Sequence, residues 1–187
     1  MDYEIAQPDK HFVFTPDYVA EDAVAILRPS GIILDPCLGD GSFYNAFPSS
    51  ETKMWCELDK GKDFFLFDER VDWVIGNPPY SIYLEWLRHS FKIAHDVAYL
   101  VPVNKVFQRW VVMDLIAKYG GIRHMIVYGS GIQIGMPFGF SVAMFHFKKG
   151  WKGDTSILFR RTPHNKSLND RLENPPHFKP VSEVESG

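Results

Sequence analysis

The sequence predicts an α/β domain built on a mostly parallel sheet, and three observations carry that expectation. Short apolar runs of strand character alternate with amphipathic, helix-like stretches along most of the chain. The first of those runs leads straight into a glycine-rich turn, GIILDPCLGDGSF. A length of 187 residues, 45% of them hydrophobic, suits one domain with a packed core and leaves little room for a second.

The elements follow in order. Phe14-Thr15-Pro16-Asp17 reads as a helix start, because Thr15 is a capping residue type, Pro16 suits the first turn and Asp17 meets the positive helix end. This helix carries Tyr18, Val19, Ala23, Ile26 and Leu27 and stops before Pro29 and Gly31. Ile32 to Leu34 form the first strand. The helix after the glycine-rich turn is short, since Pro48 and two serines interrupt it. Strands are expected at Lys53 to Leu58 and at Val71 to Ile75. YLEWLRHSFKIAH spaces Leu84, Leu87, Phe91 and Ile93-Ala94 as an amphipathic helix, and VAYLVPV is a buried strand. Val111 to Tyr119 is a helix closed by Gly120-Gly121. IRHMIVYG and SVAMFHFKK are strands joined by a glycine-rich loop from Gly129 to Gly139, and SILFRR adds an edge strand. From Thr162 onward the Pro, Asn, Glu and Ser content predicts a poorly ordered tail, which divides the chain into a domain at 1–161 and a tail at 162–187.

Composition excludes several classes. No run of eighteen apolar residues is present, and MDYEIAQPDK lacks the basic-then-apolar pattern of a secretory signal. Cys37 and Cys56 are too few for a disulfide framework and read as free thiols of a cytoplasmic protein. The seven histidines (His11, His89, His95, His124, His146, His164 and His177) lack metal-ligand spacing, so no metal is expected. The net charge of −3 argues against a chain that is basic overall. Between Lys148 and Lys179, however, eight Lys/Arg face only Asp154, Asp170 and Glu173; this is either a solvated basic tail or a phosphate-contacting one.

Three motifs carry chemistry. In DPCLGDGSF, Gly39 and Gly41 permit a tight turn and close approach of a ligand. The turn is neither Gly-x-Gly-x-x-Gly nor a phosphate loop, and Asp35 and Asp40 suit an ammonium or sulfonium group better than a phosphate. Glu57, at the end of the second strand, is placed as an acid that holds ribose hydroxyls in open α/β sheets; its plain alternative is a solvated acid. Asp63 and Phe64 are suited to an adenine amino group and ring, or else to a core aromatic flanked by surface charge. The third motif is VDWVIGNPPYS. Two adjacent prolines after a strand enforce a rigid, extended hook. Within it the Asn77 side-chain oxygen and the Pro78 carbonyl are acceptors that can grip both hydrogens of a planar amine, and Tyr80 offers a flat stacking face. In open α/β sheets ligands bind beyond the carboxyl ends of the strands, near the topological switch point. The glycine-rich turn and the hook both fall at such ends, so one shared site is expected.

Taken together, these residues resemble the class I S-adenosylmethionine-dependent N6-adenine DNA methyltransferases that carry Asn-Pro-Pro-Tyr. Phe14-Thr15-Pro16 resembles their N-terminal cofactor motif, with the Thr-Pro segment at the methionine carboxylate. Asp35 to Phe43, including Cys37, Gly39 and Gly41, resembles their glycine-rich motif. Glu57 matches the ribose acid, Asp63-Phe64 the adenine pair, and Asn77, Pro78, Pro79 and Tyr80 the catalytic motif, with Asn77 also bordering the cofactor. The motif order is that of the gamma group, over residues 12 to about 149. The resemblance implies a Rossmann-like fold with helices on both faces of the sheet and an antiparallel strand near one edge. It further implies S-adenosyl-L-methionine as cofactor, adenine N6 methylation as activity and DNA as partner. The late aromatic that packs on a flipped base is best matched by Phe138, with Phe140 as alternative.

Departures from the family pattern are equally visible. Only six residues separate Glu57 from Asp63, the usual Cys-Gly is spread over Cys37-Leu38-Gly39, and the stretch after Lys149 is too short for a target-recognition domain. The last departure leaves room for a specificity subunit, a homodimer or loose sequence preference, and for RNA adenine or a protein glutamine side chain as acceptor. A catalytically silent methyltransferase-like subunit is the reading from another class, and restriction-modification is one of several roles such a chain serves.

Overall fold

The computed structural model describes residues 13–160. Seven strands, β1 (Ile32–Asp35), β2 (Thr52–Trp55), β3 (Val71–Gly76), β4 (Ala94–Pro102), β5 (Gly120–Ser130), β6 (Ser141–Lys149) and β7 (Ser156–Phe159), form one sheet in the order β2-β1-β3-β4-β6-β5-β7. All neighbours pair in parallel except those of β6, which runs antiparallel to both β4 and β5. The helices are α1 (Asp17–Leu27), α2 (Ser42–Ala46), α3 (Tyr83–Ile93), α4 (Val103–Phe107) and α5 (Trp110–Tyr119).

Alternation along the strands explains why both faces are covered. In β4, Ala98 and Leu100 face one side while Val97, Tyr99 and Val101 face the other, and all five are fully buried. α1 and α2 cover the first face through Val19, Ala23, Leu27, Phe43 and Phe47; α3 and α5 cover the second through Leu87, Phe91, Val112 and Ile116. One polar chain runs inside this second layer. Ser90 Oγ donates to Trp86 O (2.8 Å) and so has no proton left, which makes Tyr99 Oη the donor in their 2.5 Å contact.

Several expectations shift at element ends. The helix expected to run to His95 stops at Ile93, because Ala94 already pairs with Val71 across β3–β4. The second strand ends at Trp55 rather than Leu58, and Leu58–Lys60 form a short 3-10 turn that closes a tight loop between Glu57 and Lys62. Thr15 caps nothing: α1 begins after Pro16 without a side-chain cap. No helix among the described residues is long and apolar enough to cross a membrane. The segment from Thr162 onward and most of the C-terminal basic stretch lie outside the described residues. Within them, two of the eight cations are already committed: Lys148 pairs with Asp96 (3.2 Å), and Arg160 pairs with Asp22.

The chain leaves β1, crosses to β2 on one side, and returns to β3 on the other. The switch point therefore lies between the carboxyl ends of β1 and β3, where Asp35 ends one strand and Asn77 follows the other.

Candidate active site

The floor of the site is the close approach of β1 and β3. A Cβ on Gly76 would stand 3.0 Å from Pro36 Cδ and 3.1 Å from Asp35 Oδ1, so glycine is what lets the hook start beside the Asp35 carboxylate. The turn above it needs glycine for a different reason: Gly39 and Gly41 have φ of +53° and +92°. Gly39 N donates to Glu57 Oε2 (2.8 Å), which ties the glycine-rich turn to the acid after β2. The ring of Phe14 lies over Gly39, and Phe14 is 53% exposed.

The shortened link between Glu57 and Asp63 folds on itself. Glu57 N donates to Lys62 O (2.9 Å) and Lys62 N to Glu57 O (3.0 Å), and the Lys62 ammonium sits over the Trp55 ring, 3.7 Å from its centroid. Asp63 then lines the same cleft as Glu57. Its Oδ1 accepts from Phe65 N (2.9 Å), while Phe64 is buried and stacks on Trp86 at 4.6 Å between centroids. Phe64 is thus a core ring that also borders the cleft, and the more exposed Phe65 stands beside it.

The hook is held from three sides. Cys37 Sγ donates to the Asn77 carbonyl (3.2 Å), and Asn77 Nδ2 donates to Val13 O and to Thr15 Oγ1 (both 3.1 Å). Asn77 Oδ1 and Tyr80 Oη are buried and complete no hydrogen bond among the described residues, although the phenol lies close enough to the amide for each to influence the other. Burial pushes the Tyr80 phenol well above its ordinary range, so it stays protonated. Phe138 meets the Tyr80 ring edge-on, 5.8 Å between centroids and 82° between planes. Phe140 follows outward at 5.9 Å from Phe138 and is 60% exposed.

The hook, the glycine-rich turn and the Glu57–Asp63 loop border one cleft of about 620 Å³, whereas Phe138 and Phe140 are not on its wall. Phe14, Cys37, Gly39, Glu57, Asp63, Phe64 and Asn77 to Tyr80 line it; Thr15 and Asp35 line a small adjoining recess with Gly39, Asp40 and Asn77. Burial drives the Asp35 carboxyl up to about 7, with Glu57 and Asp40 adding to the rise, although it accepts from Cys37 N (3.2 Å). Among the described residues no Lys or Arg pairs with it. A buried carboxylate this close to ionising, beside two further acids, is prepared for a cationic ligand.

Sequence reasoning missed Trp86, Ser81 and Ile82 on the cleft wall. A helical projection of α3 against the strand before it would have pointed to Trp86, because the hook fixes where the helix starts.

The fold is that of the class I methyltransferases. Among solved structures, the chain superposes on a type I restriction-modification methyltransferase subunit from Streptococcus thermophilus with a TM-score of 0.60, at 14% identity, covering 86% of this chain and 53% of that one. It superposes on a protein from Listeria monocytogenes described as a class I S-adenosylmethionine-dependent methyltransferase (TM-score 0.58, 13% identity, 86% and 71% covered). A third neighbour, from Pyrococcus horikoshii and described as an RNA methyltransferase, gives 0.53 at 20% identity with 71% and 81% covered. The chain spans about half the length of the type I subunits it resembles. No family model and no curated protein matches the sequence.

Proposed function

We propose that this chain transfers a methyl group from S-adenosyl-L-methionine to the exocyclic N6 amino group of adenine in DNA. One observation carries the reading: a buried, unpartnered amide oxygen, Asn77 Oδ1, is fixed in a proline hook beside a tyrosine face at the mouth of an acid-lined cleft.

The residues present fit the cofactor. Asp35 is a buried carboxylate without a cationic partner among the described residues, as a ligand bearing an ammonium and a sulfonium requires. Glu57 keeps Oε1 for ribose hydroxyls while Oε2 holds Gly39 N. Asp63 and Phe64 border the adenine end, and Phe14 with Thr15 and Pro16 closes the methionine end. When bound, the cofactor supplies an electrophilic methyl group.

The chain supplies position and electrostatics. Asn77 Oδ1 and the Pro78 carbonyl accept the two amine hydrogens, which localises the lone pair and aims it into the cleft. The same acceptors stabilise positive charge that develops on nitrogen, and the proton then leaves to solvent without a strong base. Pro79 fixes the approach of Tyr80, on which a base stacks, worth roughly 1–3 kcal/mol. A base gripped between Tyr80 and Phe138 requires their present edge-to-face contact to open. A base leaves a single strand or a mismatch more cheaply than a paired duplex. DNA is the partner in this reading, with sequence selection contributed by a specificity subunit or a second copy of the chain.

RNA adenine is the second reading, favoured by the RNA methyltransferase description of one structural neighbour. Incubation with methyl-labelled cofactor and separate DNA, RNA and protein pools tests both. Label recovered as N6-methyladenine from DNA is expected; recovery from RNA alone supports the second reading, and label in protein alone overturns both.

A further inference from the structure

The segment Val13 to Thr15 carries the inference, because it bonds the catalytic amide directly. Thr15 is only 6% exposed, and Ser42 Oγ anchors its backbone by donating to Thr15 O at 2.7 Å. From that anchored position the Val13 carbonyl and Thr15 Oγ1 both receive Asn77 Nδ2 at 3.1 Å. A backbone carbonyl can only accept, so the amide atom facing Val13 must be the nitrogen. Turning the amide by 180° would set Asn77 Oδ1 against the Val13 oxygen and point an NH2 group at the acceptor amine, donor against donor.

We propose that Thr15 is a positioning residue for methyl transfer: its hydroxyl, with the Val13 carbonyl, locks the Asn77 amide so that Oδ1 alone faces the cleft. Thr15 also lines the recess shared with Asp35 and Gly39. The hook's geometry therefore depends on a residue sixty-two positions earlier in the chain. Without the threonine oxygen the amide retains one of its two anchors and spends part of its time rotated, in a state that cannot grip an amine. That loss falls on turnover rather than on binding of either substrate. The kinetic part of the proposal rests on the methyltransferase reading above; the structural part does not.

The test compares Thr15→Val, which keeps the shape and removes the acceptor, with Thr15→Ser, which keeps the oxygen. In protein labelled with 15N-asparagine, the Asn77 side-chain NH2 signal is assigned by its disappearance in Asn77→Asp. Wild type and Thr15→Ser are expected to show slow hydrogen exchange at this group, and Thr15→Val exchange about tenfold faster. In turnover assays at saturating cofactor, Thr15→Val is expected to lower kcat about tenfold with the KM for the methyl acceptor within about twofold, whatever share of cofactor affinity the Thr15 hydroxyl also supplies, and Thr15→Ser to restore kcat. An unchanged Asn77 signal in Thr15→Val, equal losses in both variants, or a loss confined to cofactor affinity overturns the proposal. If Thr15→Val does not fold, Thr15→Ala carries the same predictions. If wild type transfers no methyl group to any pool, the functional reading fails while the exchange measurement still decides the role of Thr15.

Discussion

Asp35 and Asp96 are both buried carboxylates in neighbouring parts of one sheet, and their surroundings are opposite. Asp35 closes β1 at the carboxyl edge, where burial lifts it to about 7 and two more acids stand nearby. Asp96 lies near the amino end of β4. Burial opposes its ionisation too, but hydrogen bonds from His146 (2.6 Å) and His95 (2.8 Å), the attraction of His146 and the Lys148 ammonium (3.2 Å) outweigh it and bring the carboxyl down to about 2. His146 is itself pushed down by burial, against the pull of Asp96, and its ring stacks on His124 at 5.3 Å. The fold therefore neutralises one acid completely and leaves the other without a counter-ion. A structural carboxylate is satisfied by its own chain, whereas one reserved for a ligand is not.

The comparison can be broken most forcefully at Asp96. Asp96→Ala strands His146 and Lys148, and an unfolding titration in urea should show a loss of about 3 kcal/mol. Cofactor binding per folded molecule should stay within about twofold. Asp35→Asn should do the reverse. Ionised Asp35 costs the folded chain roughly 4 kcal/mol at high pH. The isosteric amide keeps the acceptor for Cys37 N, so stability at pH 8 should rise by about 2 kcal/mol while cofactor affinity falls at least about tenfold.

The two acids should also separate by pH. Asp35 has a folded pKa above its unfolded one, so its contribution is fully present below the unfolded value and is lost as pH rises toward about 7. Wild type should therefore fall progressively below Asp35→Asn in stability between about pH 4 and 7. Asp96 has a depressed pKa, and its contribution is present above the unfolded value and lost as pH falls toward about 2. Denaturant melts of both variants across that range read the two slopes directly. The smallest effect is expected at Cys37, whose thiol joins the Asp35 turn to the Asn77 carbonyl: Cys37→Ala should lower turnover by only about threefold and stability by under about 1 kcal/mol.

Much of the fold was legible because it rests on local signals. The strand before the hook, the SVAMFHFKK strand and the Gly120 stop appear within a residue of their expected places, and the hook and glycine-rich turn do flank one cleft. What stayed hidden depends on partners distant in the chain. Thr15 carries the signature of a helix cap, yet its oxygen is used by Asn77. Ala94-His95 continue the helical period, yet β3 captures Ala94 into a ladder. Phe64 next to Asp63 reads as a ligand-facing ring, and only the path of α3 reveals that Trp86 stacks on it. Histidines that look scattered in sequence converge in space, with His95 and His146 on Asp96 and His124 against His146, because β4, β6 and β5 are adjacent.

The central claim is that Asp35 is kept unpaired for a cationic cofactor. Calorimetry of S-adenosylmethionine binding at pH 6, repeated in buffers of different ionisation enthalpy, counts the protons exchanged on binding. With its pKa near 7, Asp35 is mostly protonated in the free chain at that pH and must ionise to meet the ligand. Wild type should release close to one proton, and Asp35→Asn should release almost none while binding more weakly. The same proton count in both proteins, or no binding to wild type at millimolar cofactor, would contradict the account.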